Sequence, residues 1–416
     1  MLNKKMLLVY GWFIFLLTTI FYSYDFFIRV APSVMLHSLE KDLEINTTQI
    51  GFLSSAYFYT YIIFQIPAGI ILDKYNIKWV ISGAMFLCVL GNFIFAIAPD
   101  FSIAFTGRLL MGVGSAFGFI GAAKVAAMWL PNRFFSFFIG LTLVVGLMGG
   151  LVTDTVMQVL VNQLGWRLGT NVFTVIGAVV FILMLIFIKK HPEYEASRTT
   201  SNSFRQRLSE LWLIVKAYRF WVVSFISGTL FIPINVLASL WGVDFIRTKF
   251  NVSSVIAADL NSLLFIGTAV GCIIVSMISA KSTRYRFYMM FSCITIAILS
   301  TIIIFLPMPL WLFITLYSLL GIAVGSEVLT FGMAKAICPK EATATSVAGV
   351  NMNNNLIAVI LLPLFGWLLS IAGVHKVDHH IVSTIQEYYL AMSMVPILMV
   401  ISIPLCLLLP KNVYEQ

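Results

Sequence analysis

Long apolar segments alternate with short polar ones along the whole chain. A helix needs about 20 mostly apolar residues to cross the hydrocarbon core of a bilayer. Segments of that length fall near residues 7–35, 50–72, 79–98, 103–129, 134–160, 168–188, 219–241, 253–280, 286–306, 310–336, 343–371 and 388–409. The pattern predicts an all-α membrane protein with twelve transmembrane helices, which we call spans one to twelve.

The longest polar stretch lies between spans six and seven. Within it Phe204, Leu208, Leu211 and Ile214 recur at helical spacing, which predicts an amphipathic helix on the membrane surface. A disordered linker is the alternative interpretation. The predicted domains are a six-helix half at 1–189, a cytoplasmic linker at 190–218 and a second six-helix half at 219–416.

The two predicted halves share a short repeat. The segment GSAFGFIGAAK at 114–124 aligns with GSEVLTFGMAK at 325–335, with Gly, Ser, Gly, Ala and Lys in register at an offset of 211. Two parallel halves related by an axis normal to the membrane are one plan of secondary transporters. The repeat predicts that spans four and ten are equivalent, with Glu327 in register with Ala116.

The composition leaves little mass outside the bilayer. The chain is 60% hydrophobic and 10% charged, whereas soluble domains carry about 25% charged residues. The net charge of +9 resides in short loops and not on a solvated domain, which argues against nucleic-acid binding. The five cysteines are scattered. Without metal-ligand spacing or a catalytic constellation, we predict no cofactor, no metal site and no enzyme activity.

The basic loop residues predict the orientation. With the N-terminus in the cytoplasm, most of them lie inside, and the few outside are Lys41, Arg167, Arg247, Lys249 and Lys376. The positive-inside rule then places both termini in the cytoplasm. We expect a multi-pass, monomeric protein of a bacterial-type inner membrane.

Charges inside the spans are the first candidates for function, because burying them in a bilayer is costly. Asp25 and Arg29 are one helical turn apart in span one, so both lie on one face. They form either an internal ion pair or a site in which Arg29 clamps an anion. Glu327, near the middle of span ten, is either a proton-coupling or substrate residue or a structural hydrogen-bond acceptor.

The loop after span two reads GIILDKYNIK at 69–78. It resembles the cytoplasmic signature of the major facilitator superfamily, with Gly69, Asp73, Lys74 and Lys78 in the expected places. Asn76 stands where the family has Gly, and Asn tolerates a left-handed turn. The resemblance implies a gating role for these residues.

Span four carries a second signature. Arg108 is followed by Gly112 and Gly114, which resembles the superfamily pattern whose Arg is connected with proton coupling. Alternatively, Arg108 extends to the interface and takes no part in coupling. Arg133 or Lys340 is the candidate partner for Asp73 in the gate. The resemblance extends over the whole chain and implies the twelve-helix fold of that superfamily.

The resemblance also implies which spans line the pathway, namely one, four, seven and ten. The first span is similar to that of organic-anion symporters, in which an Arg holds the substrate. The residues expected to bind substrate are Asp25, Arg29, Tyr57, Tyr61, Gln65, Asn235, Glu327 and Asn351. Those expected to couple protons are Asp25, Arg108 and Glu327. The amides could equally hold helices together.

The sequence therefore predicts a secondary transporter that moves a small polar or anionic solute inward together with protons. The predicted partners are that solute, protons and the lipid bilayer. A proton-driven exporter of a drug or siderophore is the alternative. A non-transporting membrane sensor would need an appended soluble domain, which we do not find in the sequence.

Overall fold

The structure, a computed structural model, describes residues 4–131, 135–189, 216–279, 282–337, 343–371, 375–377, 380–382 and 385–411. The predicted linker helix between Phe204 and Ile214 lies outside the described residues. So do Arg133 and Lys340, the candidate partners in the gate.

The described residues contain twelve helical segments long and apolar enough to cross a membrane, which confirms the predicted spans. They are Met6–Val34, Thr47–Leu72, Ile77–Ala96, Phe101–Trp129, Phe138–Leu164, Trp166–Phe187, Tyr218–Phe250, Ser254–Ser279, Tyr285–Phe305, Leu310–Ala334, Gly349–Ile371 and Ile385–Cys406. The protein is therefore a multi-pass membrane protein.

Spans one to six and the connection after span one are built from nine described α-helices. They are α1 (Lys4–Val30), α2 (Leu36–Leu43), α3 (Thr47–Lys74), α4 (Ile77–Ala96), α5 (Phe101–Ser115), α6 (Gly118–Trp129), α7 (Phe135–Val152), α8 (Gln158–Leu164) and α9 (Trp166–Phe187). A 3-10 turn at Ala31–Val34 follows α1, where Pro32 lacks a backbone N–H donor. A π-helical turn at Thr153–Met157 joins α7 to α8.

Spans seven to twelve are also built from nine described α-helices. They are α10 (Tyr218–Leu230), α11 (Gly242–Phe250), α12 (Ser254–Ser279), α13 (Tyr285–Phe305), α14 (Leu310–Val324), α15 (Val328–Ile337), α16 (Thr343–Ile371), α17 (Ile385–Met392) and α18 (Met394–Cys406). A π-helical segment at Pro233–Trp241 joins α10 to α11. Two short antiparallel strands, β1 (His375–Val377) and β2 (His380–Val382), precede α17, with His375 opposite Val382.

Spans four and ten are interrupted within two residues of the same place in the repeat. In span four, α5 ends at Ser115 and α6 begins at Gly118. In span ten, the 3-10 turn Gly325–Glu327 separates α14 from α15. The offset of 211 aligns that turn with residues 114–116, and α5 and α14 have 15 residues each. The shared interruption supports the internal repeat read from the sequence.

Span seven extends further than the sequence predicted. The prediction stopped at Trp241 because Asp244, Arg247 and Lys249 follow, but α11 continues to Phe250. The helix can include these charges because each has a partner. Arg247 Nη2 lies 2.8 Å from Asp244 Oδ1. Lys249 Nζ donates to the carbonyls that end α13, including that of Ile304 at 3.0 Å.

The helices group into two compact units. Unit one comprises Met1–Ala31 and Ala56–Ser203, and unit two comprises Pro32–Ser55 and Phe204–Gln416. The helix α2 and the first part of α3 thus associate with unit two. They are nevertheless joined covalently to unit one at both ends.

Close helix packing occurs inside each unit. In unit one, a Cβ added to Gly149 of α7 would lie 1.9 Å from the carbonyl oxygen of Ser23 in α1, so only glycine allows this approach. In unit two, a Cβ added to Gly51 of α3 would lie 2.5 Å from the carbonyl oxygen of Leu362 in α16. Backbone contact at these glycines fixes how the spans pack.

Candidate functional site

The predicted pair in span one is present and buried. Arg29 Nη2 lies 3.8 Å from Asp25 Oδ2, and the two side chains are 3% and 0% exposed. The separation exceeds a normal hydrogen bond, so the two charges attract each other without a direct hydrogen bond. The hydroxyl of Tyr57 in α3 donates to Asp25 Oδ1. The carboxylate is therefore held from two helices.

Aromatic rings surround the guanidinium of Arg29. Its Cζ lies 4.3–5.7 Å from the ring centroids of Phe26, Tyr57, Phe58 and Tyr61. The faces of such rings attract cations. Among the described residues, no hydrogen-bond acceptor contacts Arg29 Nε. The guanidinium is thus positioned by rings and retains a donor for an oxyanion.

Arg108 does not extend to the interface, so that interpretation is wrong. It is 1% exposed, and its Nη1 donates to the carbonyl of Ile28 at 2.5 Å and its Nη2 to that of Arg29 at 3.4 Å. These carbonyls lie in the last turn of α1, where the ladder of helical hydrogen bonds ends. The guanidinium also lies over the ring of Tyr57. Arg108 therefore holds the end of α1 in place.

Together these residues form the Arg29 cluster: Asp25, Arg29, Tyr57, Tyr61 and Arg108. Its two guanidiniums and one carboxylate carry a formal charge of +1. An excess positive charge in a low-dielectric site attracts an anion more strongly than it would in water. The net charge of the cluster therefore favours an additional anionic group.

Gly112 of the second signature brings span four close to span two. A Cβ at this position would lie 2.0 Å from the carbonyl oxygen of Tyr57 and 2.3 Å from Thr60 Oγ1. Thr60 Oγ1 in turn donates to the carbonyl of Leu109 at 2.7 Å. The glycine thus sets the position of Tyr57. Gln65 is buried further along α3, and among the described residues its Oε1 has no hydrogen-bond partner.

Glu327 lies in the interruption of span ten, where it is 7% exposed. Its Oε1 accepts from Asn354 Nδ2 of α16 at 2.5 Å and from Ser227 Oγ of α10 at 3.4 Å. Ser227 Oγ is also 2.6 Å from Thr330 Oγ1. We call Glu327, Ser227, Thr330 and Asn354 the Glu327 cluster. It contains one carboxylate among neutral groups.

The amides of spans seven and eleven either join helices or contact Glu327. Asn235 Nδ2 donates to the carbonyl of Asn354 at 3.2 Å, which joins the π-helical segment to α16. The expected role of Asn351 in substrate binding stays a prediction, and its backbone carbonyl accepts from Asn355 Nδ2 at 2.8 Å. The amide that reaches Glu327 is Asn354, which belongs to the same amide-rich run. Ser227 and Thr330 carried no distinctive sequence signal.

The residues assigned to the gate are only partly described. Gly69 lies within α3, and the side chain of Asp73 lies outside the described residues. Lys74 lies over Tyr75, and Lys78 over Trp79. The gating assignment stays a prediction.

Asn76 does not use the left-handed conformation that the family glycine suggested. Its φ of −65° and ψ of 119° are extended, and its side chain accepts from the backbone N–H of Lys78 at 3.1 Å. Asn76 is therefore the N-cap of α4, a position that favours Asn for its short hydrogen-bonding side chain.

The twelve spans, the repeated interruption and the two buried polar clusters agree with the superfamily that the sequence signatures resemble. The sequence matches the family described as the Major Facilitator Superfamily over residues 14–326. The chain belongs to this superfamily, which confirms the family and the fold inferred from the signatures.

Several curated transporters are similar to this chain. A protein of Bacillus subtilis (strain 168), named as a probable galactarate/D-glucarate transporter (GudP), is 21% identical over 87% of this chain and 86% of its own length. A protein of Cupriavidus necator, named as a probable sulfoacetate transporter (SauU), is 28% identical over 43% of this chain. The match covers 41% of SauU and 43% of YybO, an uncharacterized transporter of Bacillus subtilis.

Solved structures agree on the fold. A bacterial homologue of the human lysosomal transporter Spinster, in an inward-facing and unoccupied conformation, aligns with a TM-score of 0.75 at 15% identity, covering 96% of both chains. A D-xylose–proton symporter aligns with a TM-score of 0.71 at 15% identity, covering 93% of this chain and 96% of its own. At this identity the likeness shows the fold alone.

Proposed function

We propose that this protein is a proton-coupled transporter that takes up a small organic anion. The observation that carries the proposal is the Arg29 cluster. It combines a buried guanidinium that retains a donor, a second buried arginine and only one compensating carboxylate. Arginine binds carboxylate groups in a bidentate geometry. A solute with one or more carboxylates is therefore the favoured substrate class.

Two relatives support an acidic solute, because their names refer to galactarate, D-glucarate and sulfoacetate. The Arg29 cluster provides the chemistry for such solutes. In the proposed site, Arg29 clamps the anion, while Tyr57, Tyr61 and Gln65 orient it from α3. Asp25 competes with the anion for Arg29, so binding and release require only small displacements.

Glu327 is the proposed proton-coupling residue. Its neighbours are neutral donors and acceptors, and hydroxyls can satisfy a carboxylate or a carboxylic acid by rotating. Asp25, which faces Arg29, is the second candidate, and Arg108 takes part by fixing the end of α1. Asn235 and Asn351 complete the polar surface of the second half.

We further propose a monomer in a bacterial-type inner membrane with both termini in the cytoplasm. The basic residues of the loops support this orientation. In the proposed cycle, two six-helix halves alternate access to the solute. Asp73 would latch the cytoplasmic side, with Gly69, Lys74, Lys78 and Arg133 completing that gate.

The test uses proteoliposomes that contain the purified protein and a pH-sensitive dye. Sugar acids, dicarboxylates and sulfonates are added one at a time, with neutral sugars of the same size as controls. We expect an acidic solute to enter together with protons and to raise the thermal midpoint of the protein. Proton-coupled movement of the neutral sugars alone, or no coupled movement of any acid, would exclude the proposal.

A further inference from the structure

A third polar cluster lies in unit two, near the end of span seven and the beginning of span twelve. His37 Nε2 of α2 lies 2.9 Å from Asp244 Oδ1 of α11, and His37 Nδ1 lies 3.4 Å from Glu40 Oε2. Arg247 Nη2 lies 2.8 Å from the same Asp244 oxygen and also contacts His37 Nε2. The hydroxyl of Tyr388 in α17 donates to Asp244 Oδ2. We call these five residues the His37 cluster.

The charges of the His37 cluster balance only when His37 is protonated. Glu40 and Asp244 are then opposed by Arg247 and a histidinium, and Tyr388 remains a neutral donor. Burial lowers the pKa of His37, but its hydrogen bonds to Asp244 and Glu40 outweigh burial and raise it to about 9. The side chain is 45% exposed, so protons can reach it directly from solvent.

The His37 cluster attaches residues 32–55 to the rest of unit two. This segment has no covalent link to the rest of unit two except through unit one. Residues 32–55 lie between α1 and the remainder of α3, both in unit one. Further contacts attach the same segment to α16, including Thr47 Oγ1 donating to the carbonyl of Gly366 at 3.1 Å. A movement of unit one relative to unit two must break these contacts or bend the chain at both ends of the segment.

We propose that the His37 cluster is a proton-sensitive latch, which holds residues 32–55 against unit two when His37 is protonated. The latch rests on the proposed transport cycle, in which the two halves move. It lies outside both the Arg29 and the Glu327 clusters, so it regulates the cycle without contacting the solute. By the predicted topology it faces the outside of the cell.

The direction of the pH effect follows from linkage. When the latch is open, His37 loses Asp244 but keeps Glu40 of its own helix, so its pKa falls toward the ordinary histidine value of about 6.5. At any pH between about 6.5 and about 9, closing the latch is therefore accompanied by the uptake of a proton on His37. Stabilisation of the closed state is complete below about pH 6.5 and is lost as the pH rises through about 9. Acidic medium outside the cell closes the latch.

The test measures the distance between spin labels at Lys41→Cys and Ser253→Cys in a background without the five native cysteines. Both positions are exposed in unit two, Lys41 in α2 and Ser253 between α11 and α12. Between pH 6 and pH 9 we expect the long-distance population to rise about tenfold or more. In His37→Lys, which keeps a positive charge, the distance between the labels should stay short at both pH values. In His37→Ala the distance should no longer depend on pH. His375→Ala, a histidine outside the cluster, titrates like the parent protein.

The latch is excluded if His37→Ala titrates like the parent, or if the parent shows one distance at every pH. Transport in proteoliposomes separates this failure from failure of the proposed function. Anion transport with no response of the distance excludes the latch alone. A His37-dependent change of distance in a protein that transports no anion supports the latch and excludes the proposed substrate class.

Discussion

The Arg29 and Glu327 clusters are both buried, yet they differ in charge. The first has two guanidiniums against one carboxylate, with aromatic rings around Arg29. The second has one carboxylate among an amide and two hydroxyls. A guanidinium stays protonated at all accessible pH values, so Arg29 cannot carry a proton through a cycle. A carboxylate can, which fits the proposed division between anion binding and proton coupling.

The largest expected effect comes from removing the guanidinium of Arg29. Arg29→Ala should weaken anion binding by about 30-fold or more, because truncating one partner of a buried charge pair costs about 2–5 kcal/mol. Thermal stabilisation by the anion measures the loss. Asp25→Asn is combined with Arg29→Ala so that no unpaired carboxylate is left buried.

Arg167→Ala is the matched control for this prediction. Arg167 donates to the carbonyl of Ala98 at 2.8 Å in the same unit, so its loss removes an arginine without touching the cluster. Anion stabilisation should then stay at the wild-type level. Full stabilisation of the Arg29 variant would show that the anion binds elsewhere.

The second effect concerns proton coupling. Glu327→Gln keeps an oxygen that can accept from Asn354 but cannot exchange a proton. We expect solute accumulation driven by a pH gradient to fall by about tenfold or more, within the usual range of coupling free energies. Exchange of labelled for unlabelled solute, which needs no net proton movement, should continue. Asp259→Asn removes an exposed carboxylate of unit two and serves as the control.

A third, smaller effect tests how the Arg29 cluster is assembled. Gly112→Ala should destabilise the protein by about 1–3 kcal/mol, the cost of overpacking, because the new Cβ meets the backbone of Tyr57. Gly83→Ala is the matched control, since a Cβ there meets no atom within 4 Å. Thermal midpoints of both variants are compared. Equal midpoints would mean that the contact between spans two and four is easily displaced.

The smallest effect is expected at the longer contact of Glu327. Ser227→Ala removes a hydroxyl 3.4 Å from Oε1, near the limit of a hydrogen bond, and should lower proton-driven accumulation by about twofold. Asn354→Ala removes the donor at 2.5 Å and should lower it further. The reverse order would show that the carboxylate depends on the hydroxyl pair of Ser227 and Thr330, not on the amide.

The sequence by itself was sufficient for the spans, because a segment that crosses hydrocarbon must satisfy its backbone within one helix and stay apolar over its length. The four-residue spacing of Asp25 and Arg29, which is one helical turn, placed both side chains on one face of span one. The offset of 211 paired span four with span ten. Each of these features depends on neighbouring residues, so a single sequence contains the information.

The partners of long side chains depended on packing between distant segments. The sequence could not show that Arg108 turns to the carbonyls of Ile28 and Arg29, because that requires the end of α1 beside α5. Nor could it show that Asn354 is an amide that donates to Glu327, since the rotation of α16 about its axis decides which of its residues faces span ten. Spacing identifies a face of a helix, but not the residue opposite it.

The association of residues 32–55 with unit two is the clearest case. No feature of that segment distinguishes it from an ordinary connection between spans one and two. Its partners, including Asp244 and Gly366, are more than 200 residues away along the chain. The length of the apolar segments determined which residues enter the membrane, because it is a local property of the sequence. Only the tertiary structure decided which charges meet, because that depends on helices brought together by folding.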